Sequence, residues 1–227
     1  MLCAARRVIP SAASGSLRHR LAPRIIPQRT ADRSIAMKSG QKTVLVPVAD
    51  GSEEMEAVIT INVLRRAGSL VTVASVMPGS LQVKCARGTN IVADCMIAEC
   101  ANQTFDLIAL PGGMPGAEHL RDCAELEAMV RAQKDAGRLY AALCATPVVF
   151  LQVKGLLADG AKATAHPAFS GKLPDQSVVP ERVVVDGNLT TSRGPGTSFE
   201  FALSLVKQLY GAEKEKEVAG PMVMYPY

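Results

Sequence analysis

Cys144 is the residue whose position most clearly indicates chemistry. It follows a short apolar run at residues 139–143 and precedes Thr146-Pro147, where a helix is expected to begin. A Cys in a sharp strand-to-helix turn has the setting of a nucleophile elbow. The N–H groups and dipole of a helix N-terminus stabilise a thiolate and lower the pKa of such a Cys. We therefore predict a nucleophilic thiolate at Cys144; the alternative is a buried, unreactive Cys.

A glycine pair, Gly112-Gly113, follows another apolar run at residues 105–110. Because glycine has no side chain, backbone N–H groups there can approach a substrate oxygen, as an oxyanion hole requires. The alternative is a tight turn with no binding role. No G-x-G-x-x-G follows a strand and no Walker motif occurs, so we expect no dinucleotide or nucleoside triphosphate.

Two further side chains can supply acid–base chemistry. Glu56 lies one turn into a helix predicted to start at Ser52, among apolar neighbours, so desolvation can raise its pKa. The alternative is a solvated surface Glu. His166 stands 22 residues after Cys144, which is enough chain for a helix and a strand that return it to the same sheet edge. No second His or Cys stands at ligand spacing from His166, so we expect no metal.

We expect a parallel sheet to position these residues. In such a sheet, ligands bind beyond the carboxyl ends of the strands. Apolar, β-branched runs alternate with segments of helical periodicity along residues 41–227, which predicts one doubly wound α/β domain. Strands are predicted at residues 42–49, 70–76, 105–110, 139–143, 161–165, 182–185 and 189–192.

Local signals predict where the elements begin and end. Gly68 is expected to end the first helix, and residues 79–95 to form a hairpin excursion. Asp186-Gly187-Asn188 predicts a second hairpin, and a short helix is expected after residue 214. Helix N-caps or capping boxes are predicted at Ser52, at Asp122 with Glu125, and at Thr197 with Glu200.

The N-terminal 40 residues differ in composition from the rest of the chain. They carry seven Arg, one Lys and one Asp, a charge of +7, whereas the whole chain is +4, so residues 41–227 carry −3. This Arg-, Ala- and Ser-rich segment lacks the apolar core of a secretory signal and predicts a disordered organelle transit peptide. We expect this segment to direct the protein to the mitochondrion, with the plastid as the second choice. If the segment is not a targeting signal, we expect the protein in the cytoplasm.

The rest of the chain limits the classes of partner. It is mildly acidic and aromatic residues make up only 4% of the sequence, so we expect neither nucleic acid nor an anionic membrane. No apolar run reaches the about 18–20 residues of a membrane span. No C-x-x-C occurs, which argues against zinc ribbons and thioredoxin-like motifs. The remaining cysteines are predicted to be packing or surface residues: Cys85, Cys95, Cys100 and Cys123.

Five motifs together resemble the ThiJ/PfpI superfamily, and in particular its Parkinson-disease protein deglycase (DJ-one) branch. They occur in the family's order over about residues 42–220: DGSEEME at 50–56, LPGG at 110–113, ALCA at 142–145, TAHP at 164–167 and TSRGPGT at 191–197. The resemblance implies a flavodoxin-like sheet sandwiched by helices, a homodimer and no cofactor.

The resemblance also implies residue roles and an activity. The implied site comprises Cys144 in a strained elbow, a protonated Glu56 hydrogen-bonded to it, His166, the N–H groups of Gly113 and Ala145 as oxyanion donors, and Arg87 near the pocket. The implied activity is glyoxalase III, which converts methylglyoxal or glyoxal to lactate or glycolate without glutathione, with possible protein deglycase activity. A non-enzymatic redox sensor or chaperone is the alternative. A cysteine peptidase or glutamine amidotransferase also stays open, although no H-x-E accompanies His166.

Overall fold

A seven-stranded sheet forms the centre of the chain in the computed structural model, which describes residues 40–224. The strands in chain order are β1 (Thr43–Val48), β2 (Leu70–Ser75), β3 (Gln82–Lys84), β4 (Asn90–Val92), β5 (Cys95–Met96), β6 (Leu107–Leu110), β7 (Leu139–Leu143), β8 (Val183–Asp186) and β9 (Leu189–Ser192). The central sheet has the order β5-β2-β1-β6-β7-β9-β8, and β3 and β4 form a separate hairpin. In the central sheet, every strand pairing is parallel except that of β8 with β9.

Helices cover both faces of this sheet, so the predicted doubly wound α/β fold is confirmed. They are α1 (Glu54–Arg66), α2 (Gly116–Asp122), α3 (Ala124–Asp135), α4 (Pro167–Ser170), α5 (Ser198–Tyr210) and α6 (Ala212–Ala219), with a π-helical segment at Pro147–Gln152 and 3₁₀ turns at Ile97–Cys100, Pro195–Thr197 and Gly220–Met222. None of the helices described between residues 40 and 224 is both long and apolar enough to cross a membrane.

Strand β1 shows why the sheet must be covered on both faces. Val44 and Val46 pack in one apolar cluster with α1 and α5, whereas Leu45 packs in a second cluster with α3 and the π-helical segment. Because successive strand residues point to opposite faces, an unbroken apolar strand needs a helical layer on each side.

The N-cap of helix α1 lies one residue later than predicted. Its N-cap is Glu53, whose carboxylate accepts a hydrogen bond from the N–H of Glu56 at 2.8 Å. The prediction for Ser52 is wrong because its hydroxyl is already used: Oγ accepts from the N–H of Ala49 and closes the turn after β1. At the other end Gly68 follows the helix with φ +92°, as predicted.

Neither of the other two predicted capping boxes forms. Asp122 is the last residue of α2, a helix that the sequence analysis missed, and its carboxylate pairs with Arg121. Thr197 does precede α5, but its hydroxyl contacts the hydroxyl of Ser192 at 2.6 Å and the N–H of Gly194 at 3.1 Å. These contacts fix the loop after β9, so Thr197 Oγ1 does not cap the helix.

The strand predicted at residues 161–165 is wrong. The segment runs along β8 and β9 without joining the sheet, because its backbone bonds go to side chains. The N–H of Lys162 donates to Asp186 Oδ2, and the N–H of Thr164 donates to Thr191 Oγ1. The segment nevertheless carries His166 to the edge of the sheet where β7 ends.

The remaining local predictions are confirmed where they fall on described residues. The excursion at 79–95 contains the β3–β4 hairpin, and Gly187-Asn188 joins β8 to β9. The C-terminal helix is α6, and its Val218 is buried against the α1–α5 cluster. The predicted transit peptide lies outside the described residues, apart from Gly40.

Candidate active site

Cys144 occupies a strained backbone position directly after β7. Its φ of +65° is a left-handed value that residues other than glycine rarely adopt. Two hydrogen bonds hold it there: its N–H donates to Ser192 O at 3.0 Å, and its C=O accepts from the N–H of His166 at 2.8 Å. Strain of this kind persists only where the surroundings enforce it, and it recurs at functional sites. The side chain is 8% exposed.

The Gly112-Gly113 turn packs against this elbow. A Cβ on Gly112 would lie 2.5 Å from Cys144 Cβ and 2.8 Å from Glu56 Oε2, so only glycine fits. Buried Thr146 joins the two loops, because its hydroxyl donates to Pro111 O at 2.7 Å. The close approach lets the Gly113 N–H face the sulfur of Cys144.

Glu56 lies fully buried behind the elbow. Its Oε2 accepts a hydrogen bond from the N–H of Gly112 at 2.8 Å. Within residues 40–224, Oε1 has no nitrogen or oxygen partner, and the side chain that interacts with this carboxyl is Cys144. Burial raises the pKa of Glu56 to about 7, partly offset by these two contacts. The alternative of a solvated surface Glu is thereby excluded.

The pKa of Cys144 departs from the prediction. Burial, and then the charge of ionised Glu56, raise the pKa of the thiol to about 12. The N–H groups of Gly113 and Ala145 oppose this increase but do not overcome it. The prediction of a low pKa considered only the helix terminus, and it failed because burial and the neighbouring carboxylate were not visible in the local sequence.

Protonation of Glu56 removes one of the two causes, while burial still raises the pKa of Cys144. When Glu56 holds a proton, the repulsion between the two groups disappears, and the carboxyl O–H can donate to the sulfur, which favours the thiolate. Glu56 and Cys144 therefore titrate as a pair that shares one proton near neutral pH. The site can place that proton on either oxygen or sulfur.

His166 lies at the same sheet edge but is not bonded to the thiol. Its Nδ1 accepts a hydrogen bond from the N–H of Ala168 at 3.2 Å and caps α4. In the neutral ring the proton then resides on Nε2. Among residues 40–224 no hydrogen bond joins this ring to Cys144. The geometry thus differs from the Cys–His pair of a peptidase.

A cavity of about 500 Å³ gives access to these groups. Glu56 and Gly112 are buried and do not line it. The predicted site residues that line it are Cys144, His166, Gly113, Ala145 and Arg87; its other walls are Glu53, Met55, Ala86, Met114, Phe169 and Pro195. The structure therefore brings every predicted site residue to one place.

Glu54 is a site residue that the sequence analysis did not identify. Its side chain is buried, and its carboxylate accepts the N–H of Arg87 at 3.0 Å and that of Thr89 at 3.4 Å. Burial opposes its ionisation, but backbone hydrogen bonds outweigh burial and lower the pKa of Glu54. Glu54 thus holds the loop that carries Arg87 to the cavity. No sequence signal within α1 indicates this, because the partner loop is more than 30 residues away.

Known proteins resemble this chain over most of its length. The sequence profile of the DJ-1/PfpI family matches residues 42–208. The protein named "Protein DJ-1 homolog B" from Arabidopsis thaliana is 47% identical over 213 residues, which cover 92% of this chain and 48% of that protein. This chain thus spans about half the length of that curated relative.

Two further matches cover nearly the whole of the related protein. A Caenorhabditis elegans protein named "Glutathione-independent glyoxalase DJR-1.2" is 36% identical over 80% of this chain and 95% of its own length. The solved structure "Toxoplasma gondii DJ-1, oxidized" superimposes with a TM-score of 0.78 at 47% identity, covering 82% of this chain and 100% of that one.

Proposed function

Because this chain belongs to the DJ-1/PfpI family, we propose that it is a glutathione-independent glyoxalase that acts on methylglyoxal and glyoxal. The products are lactate and glycolate. The name of the Caenorhabditis elegans relative supports this activity. The activities of the longer Arabidopsis relatives are not carried over, since this chain spans only about half of their length.

One observation carries the proposal: a fully buried carboxyl with a pKa near 7 lies against a strained Cys. A general acid–base group works best when its pKa is close to the working pH. Glu56 meets that condition at neutral pH. Its Oε1 has no nitrogen or oxygen partner among the described residues, so it is free to take or give a proton.

The first step is addition of the Cys144 thiolate to the aldehyde carbon of methylglyoxal. A C–S bond forms, and the carbonyl oxygen becomes an oxyanion. The N–H groups of Gly113 and Ala145, which face the sulfur, are near enough to stabilise that charge. The oxyanion then takes a proton, which gives a hemithioacetal.

Glu56 then moves one proton between the two substrate carbons. Its carboxylate removes the proton from the former aldehyde carbon, which leaves an enediol, and the carboxyl returns a proton to the neighbouring carbon. The product is a thioester of lactate on Cys144, which water cleaves to lactate and the free thiol. Because one carbon is oxidised while its neighbour is reduced, the reaction needs no external oxidant.

Lactate formation from methylglyoxal without glutathione tests the proposal. The wild-type protein is compared with Glu56→Gln, which keeps the shape of the side chain but cannot titrate. Glu213→Gln, on the exposed face of α6, is the matched control. We expect turnover in wild type and control and a loss of 10²-fold or more, about the typical acid–base contribution, in Glu56→Gln. Folded wild-type protein that makes no lactate would refute the proposal.

Protein deglycase activity is proposed as a second reaction of the same thiol, since a glycated amine also presents a carbonyl carbon. It must be separated from simple removal of free aldehyde. Release of the adduct from a purified glycated peptide, after free methylglyoxal has been removed by dialysis, makes that separation.

A redox sensor is the alternative function, and the donors around the sulfur favour it. A Cys144 sulfinate would face the N–H groups of Gly113 and Ala145 and the O–H of protonated Glu56. Sensor function without enzymatic function predicts oxidation at Cys144 together with no lactate formation.

Two proposals concern the whole chain. We propose a homodimer, supported by Met55 and Val58 of α1, which are 51% and 48% exposed although apolar. Sedimentation of the purified protein tests this proposal.

We also propose that residues 1–40 direct the chain to the mitochondrion, on composition alone. A reporter fused to these residues tests the address, and a diffuse cytosolic signal would contradict it.

A further inference from the structure

Two cysteines remote from the elbow lie in contact with each other. The sulfurs of Cys95 and Cys100 are 3.4 Å apart, and either thiol can donate the hydrogen bond between them. Within residues 40–224 no other two cysteines lie within hydrogen-bonding distance. The sequence analysis took both as packing or surface residues, because neither has the strand-to-helix context of Cys144.

The backbone holds both residues in place. Cys95 lies in β5, where it pairs with Ala74 of β2. Cys100 ends the 3₁₀ turn Ile97–Cys100, and the N–H of its N-cap residue, Met96, donates to the Glu99 carboxylate at 2.8 Å. Closing the sulfurs from 3.4 Å to the about 2.05 Å of an S–S bond therefore needs side-chain rotation and little movement of the chain.

The pair is separate from the site at Cys144. Strand β5 is an edge strand, and β2, β1 and β6 stand between it and β7, after which Cys144 lies. At about 4.8 Å per strand the two sites are roughly 19 Å apart across the sheet. Their sulfurs cannot react directly with each other.

We propose that Cys95 and Cys100 form a second redox site, which a peroxide converts to a reversible intramolecular disulfide. Cys95 is the half-buried, accessible sulfur and Cys100 is fully buried. The Cys95 thiol attacks a peroxide oxygen and becomes a sulfenic acid, and the peroxide leaves as an alcohol or water. The Cys100 sulfur then displaces the hydroxyl, with loss of one water and formation of the S–S bond.

The contact gives the two sulfurs of the reduced pair unlike pKa values. The hydrogen bond from Cys95 lowers the pKa of Cys100, whereas the same hydrogen bond raises the pKa of Cys95. An ionised sulfur is thus stabilised by the neighbouring thiol, and because either sulfur can hold the proton between them, Cys95 attacks the peroxide when that proton lies on Cys100. A buried resolving sulfur next to an accessible one favours closure of the disulfide over further oxidation of Cys95.

The sequence allows a direct test on the full chain by tryptic digestion after mild peroxide treatment and alkylation. Cys95 and Cys100 share the peptide 88–121, whereas Cys85, Cys123 and Cys144 fall in the separate peptides 85–87, 122–131 and 139–154. We expect peptide 88–121 to lose two hydrogen atoms, to carry no alkyl group, and to regain two alkylation sites after treatment with dithiothreitol.

Variants make the assignment specific. Cys144→Ser is expected to leave the disulfide yield unchanged, because the sites are remote. Cys95→Ser is expected to abolish the loss of two hydrogens, and Cys123→Ser serves as the matched control. The proposal is overturned if peptide 88–121 keeps two alkylated thiols at a peroxide dose that oxidises Cys144. It is also overturned if Cys95 is found joined to another cysteine.

Discussion

The carboxyl of Glu56 and the sulfur of Cys144 form one buried titrating pair. Glu56 is fully buried with a pKa of about 7, and its charge raises the pKa of Cys144. Ionising both groups together is unfavourable, because two like charges would then lie side by side away from water. Reactivity, oxidation and pH dependence at this site are therefore properties of the pair.

The pair predicts a loss of stability between about pH 4.5 and 7. The pKa of Glu56 is raised from 4.5 in the unfolded chain to about 7 in the fold, so the folded state holds its proton more tightly. The stabilisation is complete below pH 4.5 and is lost as pH rises towards 7, by about 3 kcal/mol at most. Urea unfolding at pH 5 and pH 8 measures it.

The matched variant for that measurement is Glu56→Gln. Because Gln does not titrate, the fall in unfolding free energy between the two pH values should be smaller in the variant than in wild type. An equal fall in both proteins would mean that Glu56 is already ionised in the fold at pH 5.

Gly112→Ala should disable the site. The added Cβ would lie 2.5 Å from Cys144 Cβ and 2.8 Å from Glu56 Oε2, so the pair must separate. We expect glyoxalase turnover to fall at least about 100-fold, as a shift of about 1 Å can produce, and the unfolding free energy to fall by about 1–3 kcal/mol. Gly171→Ala is the control, because nothing lies within 4 Å of its Cβ position. Activity near wild type in Gly112→Ala would show that the loop yields without disturbing the pair.

Glu54→Ala should loosen the loop that carries Arg87 while leaving the chemistry intact. Its carboxylate accepts the N–H groups of Arg87 and Thr89, and losing such bonds costs about 1–3 kcal/mol. We expect faster hydrogen exchange at these two amides and a KM raised several-fold with kcat little changed. Glu54→Gln keeps an acceptor oxygen and should restore most of the effect. If amide exchange is unchanged in Glu54→Ala, the carboxylate does not hold the loop.

Sequence reasoning could predict those parts of the site that depend on topology alone. Cys144 and Gly112 follow neighbouring parallel strands, β7 and β6, whose carboxyl ends share one edge of the sheet. The predicted resemblance to the ThiJ/PfpI superfamily is confirmed by the family match. The layered fold could also be predicted, because strands that are apolar on both faces need a helical layer on each side.

Contacts between distant segments were not predictable in this way. The loop held by Glu54 is brought back by the β3–β4 hairpin, whose position α1 does not encode. Residues 161–165 have the composition of a strand, but their N–H groups bond to side chains such as Thr191. The pKa of Cys144 depends on Glu56, which lies 88 residues earlier in the sequence.

Cys144→Ser should abolish lactate formation, because a serine hydroxyl is a much weaker nucleophile than a thiolate and the pKa of Glu56, about 7, is too low for its carboxylate to ionise that hydroxyl. Cys123→Ser is the control, since Cys123 lies outside the cavity and its thiol donates to the Glu125 carboxylate. After peroxide treatment of the wild type, oxidation that dithiothreitol does not reverse should appear first in peptide 139–154 as two added oxygens. Mass spectrometry of the digest measures this beside the lactate assay. Lactate formation by Cys144→Ser, or sulfinate appearing first on another peptide, would remove the reactive centre on which both the enzyme and the sensor proposals depend.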